Sequence, residues 1–137
     1  TQTGSSLPEL YGYGPTANGN QPPLVTIAGP RANITTHLTG VDSQGNVYLC
    51  RDKAVIEFAP YQQGNVFPIR DIHGANLNFV KLQPIGVDGA GNVFVGDEDG
   101  GRIYRFEPYA DGDVAPVATI AGANTGLINP AALAVGR

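Results

Sequence analysis

Short apolar runs alternate with polar residues along this chain, and glycine or proline separates most runs from the next. Val47 and Leu49 alternate with Tyr48, and Val93 and Val95 with Phe94. Ile56 and Phe58 share one face of their run, as Tyr104 and Phe106 share one face of theirs. A period of two marks a β-strand, because successive side chains of an extended backbone point to opposite sides. The 19 glycines and 11 prolines fall between the runs, the punctuation of many strands and turns, and they almost exclude helix.

The pattern itself recurs. VDSQGNVY at 41–48 returns as VDGAGNVF at 87–94, a shift of 46 residues. VIEFAPYQQGNVFPIRDIHG at 55–74 returns as IYRFEPYADGDVAPVATIAG at 103–122, and a diverged copy, LYGYGPTANGNQPPLVTIAG, stands at 10–29. Pro15, Pro60 and Pro108 align, as do Gly29, Gly74 and Gly122, at spacings of 45 and 48 residues. Each repeat predicts four strands. Strand A lies around 38–42, 84–88 and 132–136, and strand B at 46–50 and 92–96, after a turn that Gly45-Asn46 or Gly91-Asn92 permits. Strand C is expected at 55–59 and 103–107. Strand D is expected at 66–72 and 114–120, at a sheet edge because its internal prolines cannot donate to a ladder.

The GVD-x-x-GNVY/F turn, the RIYRF third strand at Arg102–Phe106 and the final strand running into IAG resemble NHL repeats of six-bladed, SMP-30-like β-propellers. The resemblance covers almost the whole chain. It implies an all-β fold of propeller blades, four-stranded antiparallel repeats of about 45–48 residues, forming an incomplete ring in one chain. Residues 1–29 would supply strands C and D of a split blade, with Thr1–Ser6 at the end of its strand B and in its B–C loop. Residues 30–74 and 75–122 would be complete blades, and 123–137 strand A of the split blade. Four blades is the usual minimum for a ring, so two completions are expected. Either two copies self-associate into six blades, or further blades of a parent chain close the ring.

Composition narrows the function. Charged residues make up 15% of the chain and its net charge is −4, which disfavours nucleic acid, whose phosphates need clustered Lys and Arg. No run of 18 apolar residues predicts a membrane span. Cys50 is the one cysteine, so neither an intrachain disulfide nor a thiolate metal cluster can form, and a buried strand position is expected for it.

In antiparallel blades the B–C and D–A loops share one face, and the A–B and C–D turns share the other. The loop face gathers Arg51, Asp52, Lys53, Asp97, Glu98, Asp99 and Arg102 with Asn76 and Asn78, and it is the expected binding face. Asp97-Glu98-Asp99 lacks the spacing of a calcium loop and reads as a solvated loop. Asp42 and Asp88 recur at turn positions where a carboxylate accepts backbone hydrogen bonds. His37 and His73 fall at different repeat positions and make no shared metal site. Tyr11, Tyr13, Tyr61 and Tyr109 can stack on sugars, but recurring aromatics of this kind are more often packing residues. Asn33-Ile34-Thr35 is an N-glycosylation sequon.

No nucleophile elbow, phosphate-cradling loop or catalytic cluster is present, and no cofactor is expected. The sequence therefore predicts a non-catalytic scaffold, extracellular or at the cell surface, that binds a protein or a glycan. Two alternatives stand beside it: a structural subunit assembling through its split blade into a ring or fibre, and a fragment of a lactonase-like propeller hydrolase.

Overall fold

A computed structural model describes residues 8–35, 39–51, 53–74 and 77–136. The described residues form ten β-strands and no α-helix, with a single 3-10 turn at Ala123–Thr125. β1 (Leu10–Gly12) and β2 (Val25–Ile27) form a hairpin. β3 (Thr39–Val41), β4 (Val47–Arg51), β5 (Ala54–Phe58) and β6 (Arg70–Ile72) form a middle sheet, in that order. β7 (Leu82–Val87), β8 (Val93–Asp97), β9 (Arg102–Phe106) and β10 (Ala118–Ile120) form a third sheet of the same order. The strand pairs within all three sheets are antiparallel.

The sheets stack face to face. Leu49, Ile56 and Phe58 on one side of the middle sheet pack with Ile27, Ala32 and Ile34 from the hairpin and the segment after it. Tyr48, Cys50, Val55 and Ile72 on its other side pack with Leu77, Phe79 and the third sheet's Val93, Val95, Tyr104 and Phe106. All five residues of β5 are consequently buried. Phe58 and Phe106, removed entirely from water, each contribute about 2–3 kcal/mol of transfer free energy. Cys50 is buried in β4, and loss of hydration pushes its thiol pKa up to about 12.

Backbone latches join each sheet to the next. Gly64 N–H donates to the Thr26 carbonyl at 2.8 Å, and Ala28 N–H donates back to the Gly64 carbonyl at 3.1 Å. One repeat later Gly112 N–H donates to Asp71 O at 2.9 Å and His73 N–H to Gly112 O at 3.1 Å. The outer strand of one sheet is thus tied to the turn preceding the outer strand of the next. The approach is close enough that a Cβ on Gly29 or Gly74 would strike the side chains of Asn65 or Asp113.

Two strand expectations change. β6 and β10 occupy sheet edges, as prolines require, but each begins only after Pro68 or Pro116 and is three residues long. No strand is formed at 132–136, where strand A was expected; residues 1–6, expected to hold the end of its strand B neighbour, lie outside the described residues. Val135 nonetheless lies directly over Gly86, much as Ile85 lies over Gly40.

Candidate functional site

The turn face carries two clefts built on one plan. In each, the register sets a row of cross-strand side chains as floor, and the Pro-Tyr corner of the following sheet stands over it. The cleft between hairpin and middle sheet, about 450 Å³, is lined by Leu10, Gly12, Val25, Pro60 and Tyr61 among others. The cleft between middle and third sheets, about 270 Å³, is lined by Asp42, Tyr48, Glu57, Arg70, Asp88 and Tyr109 among others. Tyr48 lies opposite Glu57, and Glu57 opposite Arg70, so these three form one continuous row.

The charged row is tightly wired. Glu57 is only 3% exposed and ion-pairs with Arg70. Arg70 Nη2 donates to the Tyr48 hydroxyl at 3.0 Å, and that hydroxyl donates to Asp42 Oδ2 at 3.2 Å. The Arg70 guanidinium lies 5.4 Å from the Tyr109 ring centroid and 5.9 Å from that of Tyr48. Burial raises the Glu57 pKa, with Arg70 opposing the rise, and burial together with the Glu57 charge raises that of Tyr48.

Asp42 and Asp88 hold the A–B turns as the sequence predicts. Asp42 accepts from Gln44 N–H at 2.8 Å, Asn46 N–H at 2.9 Å and Asn46 Nδ2 at 2.7 Å. Asp88 repeats the set with Ala90 and Asn92. Burial alone would raise the Asp42 pKa, but its hydrogen bonds from Asn46, Gln44 and Tyr48 outweigh that and lower it. For Asp88 the Asn92 side chain is the main lowering influence. Three carboxylates against one guanidinium leave this cleft acidic.

Tyr61 and Tyr109 are not packing residues. They are 85% and 82% exposed and sit in the left-handed region at φ 65° and 67°. That backbone conformation costs an L-residue about 1–2 kcal/mol, so two exposed aromatics are held at equivalent positions against a local preference. Tyr11 and Tyr13 are exposed as well.

The loop face expected to bind is largely self-satisfied. Asp97 is not part of a solvated loop: it ends β8, is 0% exposed, and accepts from Val80 N–H at 3.1 Å, Lys81 N–H at 2.8 Å and Gly100 N–H at 3.3 Å. These three backbone amides of adjoining loops satisfy the carboxylate in its buried position. Glu98 pairs with Lys81 at 3.1 Å, and Arg51 pairs with Asp71 in its own sheet. Arg102 Nε donates to the Gly100 carbonyl at 3.2 Å, with its guanidinium beside the Tyr104 ring. Lys53, Asn78 and Asp99 are exposed, whereas Asp52, Asn76 and His37 lie outside the described residues. Among the described residues no ion pair joins Arg51 or Lys53 to the 97–99 stretch, and no group of three or more His, Cys, Asp or Glu is placed to hold a metal. His73 is exposed beside Asp71. Asn33 is exposed at φ 46°, its N–H donating to the Gly29 carbonyl.

Glu57 and Arg70 escape a motif search but not the repeat alignment. Glu57 stands where the other copies have Gly12 and Arg105, and Arg70 where they have Val25 and Ala118. The charged pair belongs to one repeat of the three. No helix among the described residues is long and apolar enough to cross a membrane. The chain matches no known family model, and no curated protein matches it.

Proposed function

We propose that this chain is a segment of an NHL-like β-propeller, its sheets being blades, and that it is a non-catalytic scaffold binding a glycan or protein on the turn face. Support for the blades comes from the repeated four-strand order and the repeated latches between successive sheets. The observation that carries the binding reading is the charged cleft under an exposed, strained tyrosine.

The lining favours a neutral sugar. A pyranose ring offers an apolar face to stack on Tyr109 and hydroxyls that donate to Asp42 or Asp88 and accept from Arg70. The excess of carboxylates repels phosphorylated or sialylated ligands. Tyr61 gives the neighbouring apolar cleft an equivalent stacking surface, so an oligosaccharide crossing the turn face meets an aromatic at each step. An extracellular location belongs to the same proposal, supported by the sequon at Asn33, in which Asn33 and Thr35 are exposed.

A glycan array probed with the wild-type chain and with Tyr61→Ala and Tyr109→Ala tests it. Neutral glycans are expected to bind the wild type, and each substitution should weaken that binding about tenfold, the scale of one lost stacking contact. Lys53→Ser and Asp99→Ser, on the loop face, should bind as wild type. Binding lost with the loop-face variants and retained without the tyrosines would place the site on the other face.

A further inference from the structure

The connection from the hairpin to the middle sheet alternates between core and solvent. Ala32 and Ile34 are buried, whereas Arg31, Asn33 and Thr35 are exposed. Arg31 N–H donates to Asn65 Oδ1 at 2.8 Å and Asn33 N–H to the Gly29 carbonyl at 3.1 Å, so the backbone is pinned with Asn33 on the surface. Its φ of 46° is one that asparagine adopts more readily than most residues with a side chain. Asn33-Ile34-Thr35 is also the one Asn-x-Ser/Thr triplet in the chain.

Asn33 and Phe67 line the same open cleft of about 400 Å³, with Arg31, Arg51 and Asp71 among its other walls. Phe67 is 66% exposed, although the Arg31 guanidinium lies 5.3 Å from its ring centroid. The triplet and the aromatic go together in the repeat. At the next junction the positions of Asn33, Thr35 and Phe67 are taken by Asn78, Val80 and Ala115, so both features are lost at once. The cleft lies between an internal connection and the outer edge of the middle sheet, and neither end of the stack bounds it.

We infer that Asn33 carries an N-linked glycan whose first N-acetylglucosamine is seated in this cleft, stacked on Phe67. The modification rests on the extracellular location proposed above, and the seat rests on the cleft. The Asn33 side-chain nitrogen bonds to the anomeric carbon of the sugar and gives up one proton. The bond from that carbon to the diphosphate of a lipid-linked oligosaccharide donor breaks, and the diphosphate leaves with the electron pair. The apolar face of the ring then covers Phe67, its acetamido and hydroxyl oxygens accept from Arg31 and Arg51, and a hydroxyl donates to Asp71. The covalent tether makes these contacts intramolecular, so a stacking too weak to retain free sugar persists here.

Peptide mass mapping of the protein from its native source tests the modification: trypsin should release peptide 32–51 bearing N-acetylglucosamine at Asn33. Unmodified Asn33 overturns the inference. For the seat, the chain is secreted from a eukaryotic cell line and its glycan is trimmed by an endoglycosidase to one N-acetylglucosamine. This form should melt about 3 °C above the same chain made in a bacterial host without N-glycosylation, the scale of one stacking contact in a domain of this size. In Phe67→Ala the difference between the two forms should vanish. Both forms of a pair have one sequence, so any cost of removing the ring itself cancels. A difference that survives Phe67→Ala, or none in the wild type, overturns the seat. Turn-face sugar binding is read on the unglycosylated chain, so the outcome for that proposal is decided separately.

Discussion

Gly12 and Val25 floor the cleft between hairpin and middle sheet, whereas Tyr48, Glu57 and Arg70 floor the one between middle and third sheets. Frame, turns and overhanging tyrosine are the same. What differs is the content of a single cross-strand row. The repeat therefore separates two tasks: backbone latches and buried Ile, Phe and Tyr residues fix how sheets stack, and the row nearest the turn face sets the chemistry of each cleft. One repeat can acquire a buried charged pair without disturbing its neighbours, because the apolar rows beneath, such as Val55 with Ile72, still hold the junction.

The contrast is sharpest under substitution of the floor. Arg70→Ala leaves the Glu57 carboxylate buried without its partner and should cost about 3 kcal/mol in urea unfolding. Val25→Ala, at the same repeat position, should cost only about 1 kcal/mol. Equal losses would mean the two floors are energetically alike. The charged loss also depends on pH. Without Arg70 the largest influence opposing burial is gone and only the Tyr48 hydrogen bond still lowers it, so the Glu57 pKa in the folded variant rises further above its unfolded value. The variant is then most stable below the ordinary glutamate range and loses stability as pH rises through that raised value.

Replacing both members of the pair, Glu57→Leu with Arg70→Met, makes the second cleft apolar like the first. Stability should return to within about 1 kcal/mol of wild type, since a buried ion pair is often matched by apolar residues of similar size. Sugar binding should nevertheless be abolished, which calorimetry can read separately from unfolding. Asn46→Ala acts at the rim, removing one donor to Asp42 at a cost of at most about 1 kcal/mol. The lowered Asp42 pKa gives stability that is present above the ordinary aspartate range and lost as pH falls through the folded value. In the variant that value moves up, so acid unfolding should begin at higher pH. The smallest effect is expected at the corners. Tyr61→Gly relieves its left-handed backbone and should stabilise by a few tenths of a kcal/mol after glycine's greater unfolded freedom is counted. Tyr109→Gly should gain less, because Arg70 lies over that ring.

Strands B and C were legible because alternation, turn glycines and repetition agree over them, and β4, β5, β8 and β9 appear where these signals coincide. Strand D was legible in position but not in length: an apolar run through Pro68 looks continuous, yet the ladder begins only where donors exist on both sides. After Pro130 the apolar pattern continues without a ladder among the described residues, since pattern alone does not supply a strand's partner. Asp97 misled because an acid before two more acids resembles a solvated loop. Its burial depends on amides at 80 and 81, brought near only by the β7–β8 pairing. Tyr61 and Tyr109 follow strand-C prolines, and the sequence does not show that the chain turns there with the ring outward. Glu57 stands out in the sequence alone, because its charge conflicts with its aligned partners Gly12 and Arg105.

The paired residues Gly12–Val25, Glu57–Arg70 and Arg105–Ala118 are equally spaced in sequence, so the three C–D turns that bear the latch glycines have one length. The longer last repeat takes its extra residues in the B–C and D–A connections instead. Insertions are therefore tolerated on the loop side and resisted on the turn side. For protein engineering this divides the molecule: foreign segments can be grafted after Arg51 or around Asp99, whereas lengthening the stretch from Pro60 to Pro68 by one residue would shift a sheet off its neighbour.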